Sequence, residues 1–142
     1  MRAQDNFIDS GWRVDVPATE AEIRSKFGTP VTLTRTPVEN RHVQGQKDEL
    51  VDIGYAGFEI RLYKTPKIQI PYYVSISSPD IRVALGLHVS SSVDSVILTL
   101  GNPAERKDGI LRYTNHDGYE QDVSFTAVEG IVRKIEWHLA YD

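Results

Sequence analysis

Apolar residues recur along this chain with two different periods, and each change of period marks an element. Val93, Val96, Ile97 and Leu100 fall at i, i+3, i+4 and i+7, the spacing that puts side chains on one face of a helix. Ser91 and Asp94, at the start of this run, resemble a capping box with Asp in place of Glu or Gln, and Asp94 suits the positive end of the helix dipole. Gly101 offers a left-handed stop and Pro103 bars continuation, so the spacing predicts a helix of about three turns. Strand patterns follow. Ile110-Leu111-Arg112-Tyr113 leads into Asn115-His116-Asp117-Gly118, whose Asp-Gly pair is a hairpin signal. Val123 and Phe125 alternate with Asp122 and Ser124, and Glu129-Gly130 makes a second turn. In the last run Ile131, Arg133, Ile135 and Trp137 share one face, with Val132, Lys134, Glu136 and His138 on the other.

The same plan, less regular, precedes it. Thr19 and Glu22 form a Thr-x-x-Glu capping box, Ile23 and Phe27 give a helix its apolar side, and Gly28-Thr29-Pro30 closes it as Gly101-Asn102-Pro103 does later. Ile53-Gly54-Tyr55 corresponds to Leu111-Arg112-Tyr113; Ala56-Gly57 is a turn; Phe58, Ile60 and Leu62 alternate with Glu59, Arg61 and Tyr63; Tyr72-Tyr73-Val74-Ser75-Ile76 is a further strand. The stretch from Val31 to Glu49 exceeds its counterpart in length and reads either as a long loop or as a hairpin through Val31-Thr32-Leu33-Thr34. Val83 to Val89 links the halves, with a short strand as one reading. The expectation is an α+β fold with two helices and six to eight strands, the helices packed on one face of a mostly antiparallel sheet. Residues 16–142 form one domain of two tandem units, 16–80 and 81–142, behind a flexible lead-in, 1–15.

Composition narrows the function classes. Net charge is −4 over 142 residues, without the basic stripe that binding nucleic acid requires. No apolar run approaches the ~20 residues that span a bilayer, so no transmembrane segment is expected. There is no cysteine, hence no disulfide framework, thiolate metal site or cysteine nucleophile. His42, His88, His116 and His138 lack metal-ligand spacing; Glu136 and His138 share a strand face and offer two ligands, fewer than a metal needs. His116 beside Asp117 reads as a turn residue. Ser90, Ser91 and Ser92 lack a nucleophile elbow and read as helix caps, with an anion site as the alternative. Asp48/Glu49 and Glu20/Glu22 read as solvent-facing pairs. No catalytic residue, metal ligand or cofactor is assigned. Tyrosines on strands are more informative: about half of an alternating strand faces away from the helices, and exposed Tyr anchors protein partners. Arg35, Arg41 and His42 in the Val31–Glu49 stretch, with Tyr72, Tyr73 and Tyr119, are the candidate partner-binding residues.

The recurrent plan of helix, Gly101-x-Pro103, Leu111-x-Tyr113, turn, alternating strand, Gly turn and a last strand ending near Ile135-x-Trp137 resembles the β-lactamase inhibitor protein fold and the small outer-membrane assembly lipoproteins related to it. The resemblance covers 16–142. It implies helices packed on three-stranded sheets joined in tandem, and a non-enzymatic, protein-binding role of inhibitor, immunity or assembly type in a bacterial envelope; it carries no functional residue over. The compartment it implies is periplasmic or outer-membrane-anchored, with a lipid tether upstream. Residues 1–15 show no apolar core of a secretory signal, which also fits a cytoplasmic protein. The alternative function is a small-ligand or metal-binding protein, or an enzyme, with a cleft between helices and sheet.

Overall fold

A computed structural model describes residues 3–115 and 120–140. Three helices, α1 (Ala3–Ser10), α2 (Glu20–Phe27) and α3 (Val93–Leu100), accompany eight strands: β1 (Thr32–Glu39), β2 (Lys47–Tyr55), β3 (Phe58–Lys64), β4 (Gln69–Ile76), β5 (Glu105–Lys107), β6 (Ile110–Thr114), β7 (Asp122–Val128) and β8 (Ile131–His138). All eight form one antiparallel sheet in the order β1-β2-β3-β4-β8-β7-β6-β5. Two four-stranded meanders, each entered from a helix, therefore meet edge to edge where β4 pairs with β8.

Local chemistry explains the helix ends. Thr19 caps α2: its Oγ1 accepts the Glu22 N–H at 3.3 Å and donates to the Glu22 carboxylate at 2.7 Å. The cap of α3 is Ser92, one residue later than expected, accepting the Ser95 N–H at 3.1 Å. Ser91 is buried and accepts the His88 N–H at 3.0 Å, so its hydroxyl closes the preceding turn. Both helices end on a glycine with positive φ, Gly28 at 83° and Gly101 at 86°. Each terminal carbonyl is then held by a tyrosine of the following meander: Tyr55 donates to Gly28 O at 2.7 Å, and Tyr113 to Gly101 O at 2.8 Å.

The core lies between the helices and one sheet face. Val51, Ile53, Phe58, Ile60, Leu62, Val74 and Ile76 of the first meander and Leu111, Tyr113, Val123, Phe125, Ile135 and Trp137 of the second are buried there, against Ile23, Val93, Val96 and Leu100. The expected flexible lead-in is part of this core. Phe7 of α1 packs on Phe125 (5.7 Å between centroids) and Trp137 (5.5 Å), and Trp137 Nε1 donates to Phe7 O at 2.9 Å. Phe7, Ile8 and Trp12 are too apolar to stay in water once a sheet face is free to receive them.

Other expectations change in detail. Val31–Glu49 forms the β1–β2 hairpin, with 40–46 as its loop. A fourth strand, β5, precedes β6 across a turn at Asp108 and Gly109 with φ of 54° and 80°. Val83–Val89 contains no strand; one 3₁₀ turn, Ala84–Gly86, lets Val83, Leu87 and Val89 reach the core. A bulge between Thr126 and Ala127 shifts the register opposite Arg133, so Val132 joins Ile135 and Trp137 on the buried face. Glu20 and Asp48, expected in solvent, are buried. The Asp117-Gly118 turn and His116 lie outside the described residues.

Replacing Phe7 with Ala is expected to lower unfolding stability by about 3–5 kcal/mol, as for other large-to-small aromatic changes in cores. Urea denaturation measures it; a loss below about 1 kcal/mol would return residues 3–15 to the status of a lead-in.

Candidate binding face

Alternation along each strand sends every second side chain away from the helices. Register then decides which of them become neighbours. Asp52 stands opposite Arg61, Arg61 opposite Tyr73, Tyr73 opposite His138, Ser75 opposite Glu136, and His138 opposite Asp122. Among the described residues no helix covers this open face.

A chain of charge contacts crosses it. Arg61 Nε lies 3.4 Å from Asp52 and 3.0 Å from Glu59, and the guanidinium carbon sits 4.5 Å from the Tyr73 ring centre. Tyr73 donates to Glu136 at 2.6 Å, and Lys134 lies 3.6 Å from the same carboxylate. His138 packs on Tyr73 at 5.3 Å between ring centres and meets Asp122 at 3.0 Å; Arg112 bridges Asp122 and Glu105, both at 3.2 Å. Burial, the hydrogen bond with Glu59 and that residue's negative charge push Asp52 up to about 6. For Glu59, burial is outweighed by the hydrogen bonds from Asp52 and Arg61, which hold it below its usual range. Burial and then the bond to Glu136 push the Tyr73 hydroxyl up to about 12, so it stays a donor at neutral pH.

At one end of the face the hairpin loop 40–46 folds over a buried carboxylate. Asp48 accepts from Tyr63 Oη at 2.5 Å and from the side-chain amides of Asn40 and Gln46, both at 2.7 Å. The Tyr63 bond first, then that of Gln46, hold its pKa below the usual carboxylate range. Asn40 Oδ1 in turn accepts the backbone N–H groups of His42 (2.7 Å) and Val43 (2.8 Å), an Asx-type turn. The loop so held borders a cleft of about 560 Å³, with Val38, Leu50, Tyr63, Ile70 and Leu139 among its walls and Arg41, His42 and Glu120 also lining it.

The sequence candidates divide. Arg41 and His42 line the same cleft, and Tyr73 lies on the open face. Tyr72 falls at the β3–β4 register shift, half-buried, its carbonyl accepting the Leu139 N–H at 2.9 Å. Arg35 belongs to the opposite face: it stands across from buried Val51, pairs with Glu20 of α2, and lies 3.0 Å from Glu49. Glu20 also meets Lys64 at 3.3 Å and Arg24 at 3.6 Å, so Arg35 ties α2 to the sheet. Tyr119 lies outside the described residues. Arg61, Asp52, Glu59, Tyr63 and Glu136 join the site beyond the sequence candidates. Their signal was the polar phase of each strand; what places them together is strand order. Comparison with protein-family models, curated proteins and solved structures finds no match to the chain.

Asp52 contributes a pH effect whose sign is fixed, while Glu59, held below its usual range, contributes with the opposite sign at lower pH. An acid whose folded pKa lies above its unfolded value binds more protons when folded, so its contribution to stability falls as pH rises from about 4 to about 6 and is level thereafter. The Asp52 carboxyl resonance is expected to titrate near 6, and Glu59→Gln to lower that midpoint by removing the like charge. A parent midpoint inside the ordinary carboxylate range would remove the basis for this assignment.

Proposed function

We propose that the chain is a non-enzymatic protein-binding domain that holds a partner protein on its open sheet face and the 40–46 loop. The observation that carries this reading is Tyr73, an aromatic side chain on an uncovered sheet face, capped by Arg61 at 4.5 Å and hydrogen-bonded to Glu136 at 2.6 Å. Tyr and Arg are residue types enriched at interface hot spots. A tyrosine already fixed by its neighbours loses little rotamer freedom on binding. The alternating charges around it suit a partner surface of mixed charge and impose register on it.

We further propose that the two meanders are copies of one plan, of the kind the β-lactamase inhibitor protein resemblance implies, in a bacterial envelope protein. Support comes from the strand order about the β4–β8 seam and from the matched Tyr55–Gly28 and Tyr113–Gly101 hydrogen bonds. A second reading draws on the cleft beside the loop, whose volume of about 560 Å³ falls within the range of small-molecule sites. A small ligand there would raise the melting temperature without any protein partner.

Extracts of the source cells passed over the immobilised chain supply the test. Tyr73→Ala and Arg41→Ala, each checked for folding by circular dichroism, are expected to weaken the interaction with a retained protein at least tenfold, about 1.4 kcal/mol. Leu98→Ala, at an exposed position of α3, is expected to leave it unchanged. Retention indifferent to both the open-face and the loop change would refute the surface. Absence of any retained protein, with a metabolite-dependent melting shift abolished by Leu50→Trp in the cleft, would favour the small-ligand reading.

A further inference from the structure

β1 is an edge strand of eight residues, and its outward backbone groups can be identified. Asn40 follows the Glu39–Lys47 pair and donates to Gln46 O at 2.9 Å. In an antiparallel ladder, hydrogen-bonded pairs recur at every second residue. Val38, Thr36, Thr34 and Thr32 therefore exchange their bonds with β2, while Leu33, Arg35 and Glu39 turn both N–H and C=O outward. Pro37 shares that outward phase and has no N–H to offer, which is the position an edge strand tolerates. Val31, next in phase, has its N–H turned inward to Gly54 O at 2.8 Å. The free edge is thus bounded at both ends by a missing donor, leaving Leu33 and Arg35 with complete donor–acceptor pairs.

That segment is complementary to itself. Reversed about Thr34, Thr32-Leu33-Thr34-Arg35-Thr36 places Thr opposite Thr at every even position and Leu33 opposite Arg35. Other two-fold registers do less well. Centring on Arg35 sets two guanidinium groups face to face; centring on Thr36 uses Pro37, which lacks a donor; centring on Leu33 uses Val31, whose donor is taken. Native edges are commonly guarded by charge, but the charge of this segment is Arg35, already engaged by Glu20 and Glu49. Leu33 is exposed and Thr32, Thr34 and Thr36 are all in solvent.

We propose that two copies of this chain pair antiparallel through β1, centred on Thr34, joining their sheets into one. Leu33 N–H donates to the partner's Arg35 C=O and Leu33 C=O accepts the partner's Arg35 N–H, and the two-fold axis repeats the pair. Pro37 confines the pairing to five residues, so the dimer is weak and concentration-dependent. The open face remains free on both copies, and Tyr73→Ala leaves the dimer unchanged, which separates this inference from the partner-binding reading.

The full chain contains no cysteine, so single cysteines report the register. The threonines of the proposed interface are non-hydrogen-bonded pairs, with Cα atoms about 4.5 Å apart, within the roughly 4.4–6.8 Å that a disulfide spans. Mild oxidation of Thr34→Cys is expected to give covalent dimer at least tenfold faster than Thr32→Cys or Thr36→Cys alone, whereas an equimolar mixture of the latter two cross-links to the heterodimer. Leu33→Pro removes an outward N–H without touching a β1–β2 bond; it is expected to keep the parent's melting temperature within a few degrees and to abolish the dimer seen by sedimentation. A parent that stays monomeric up to millimolar concentration, equal cross-linking at all three positions, fastest cross-linking at Leu33→Cys, or a Leu33→Pro variant that still dimerises would each overturn the proposal.

Discussion

The pairing of β4 with β8 is the constraint on which the rest of the molecule depends. Tyr73–His138, Val74–Trp137, Ser75–Glu136 and Ile76–Ile135 make it, and the Leu139 N–H to Tyr72 O bond extends it. Each meander alone would be a small sheet with one apolar face, and such sheets are marginal until that face is covered. Joined at the seam, they make one continuous apolar face, and α1 packs on its second half through Phe125 and Trp137. Val74, Ile76, Ile135 and Trp137 then lie at the centre of the core, and Trp137 holds the Phe7 carbonyl. The same four pairs place Tyr73, Glu136 and His138 side by side on the other face. Core and candidate binding face are two sides of one set of hydrogen bonds.

One-sided burial explains the character of the open face. Charged, hydroxyl and aromatic side chains predominate around the seam because no helix packs on that side among the described residues. Exposed ion pairs contribute little to stability, typically ~0–1 kcal/mol each. The chain of contacts from Asp52 to Glu105 is therefore better understood through orientation than through folding energy. Arg61 is shared among Asp52, Glu59 and the Tyr73 ring, so displacing any one of them alters the others.

Much of the fold was legible because period and punctuation coincide. Val93, Val96, Ile97 and Leu100 marked α3; Phe58, Ile60 and Leu62 marked the buried phase of β3; Gly28 and Gly101 marked the helix ends. The failures have a common cause. Phe7, Ile8 and Trp12 lie too close together in a polar context to show a period, and their burial depends on a sheet face made more than a hundred residues later. Arg35 lies in a polar stretch that reads as surface, yet register turns it toward α2 and Glu20. The open-face cluster was half legible. Alternation alone puts Glu136 and His138 on one face, but Arg61 and Tyr73 reach them only through the pairing of β4 with β8, strands far apart in sequence, and no local pattern encodes that pairing.

The two buried carboxylates show how such long-range geometry is secured. Glu20 is tied to Arg35, Lys64 and Arg24 beneath α2; Asp48 is tied to Tyr63, Asn40 and Gln46 beneath the hairpin loop. Burying a charge costs free energy that its partners repay only in good geometry. Neither site is therefore an efficient source of stability, and an apolar side chain would fill the space at lower cost. A paired carboxylate does supply direction, since its acceptor sites are satisfied in only one arrangement of donors. At Glu20 that arrangement fixes α2 over β1 and β3. At Asp48 it fixes the 40–46 loop, and through Asn40 the backbone of His42 and Val43. The rim of the cleft is thus shaped before any partner arrives, which reduces the ordering cost of binding there.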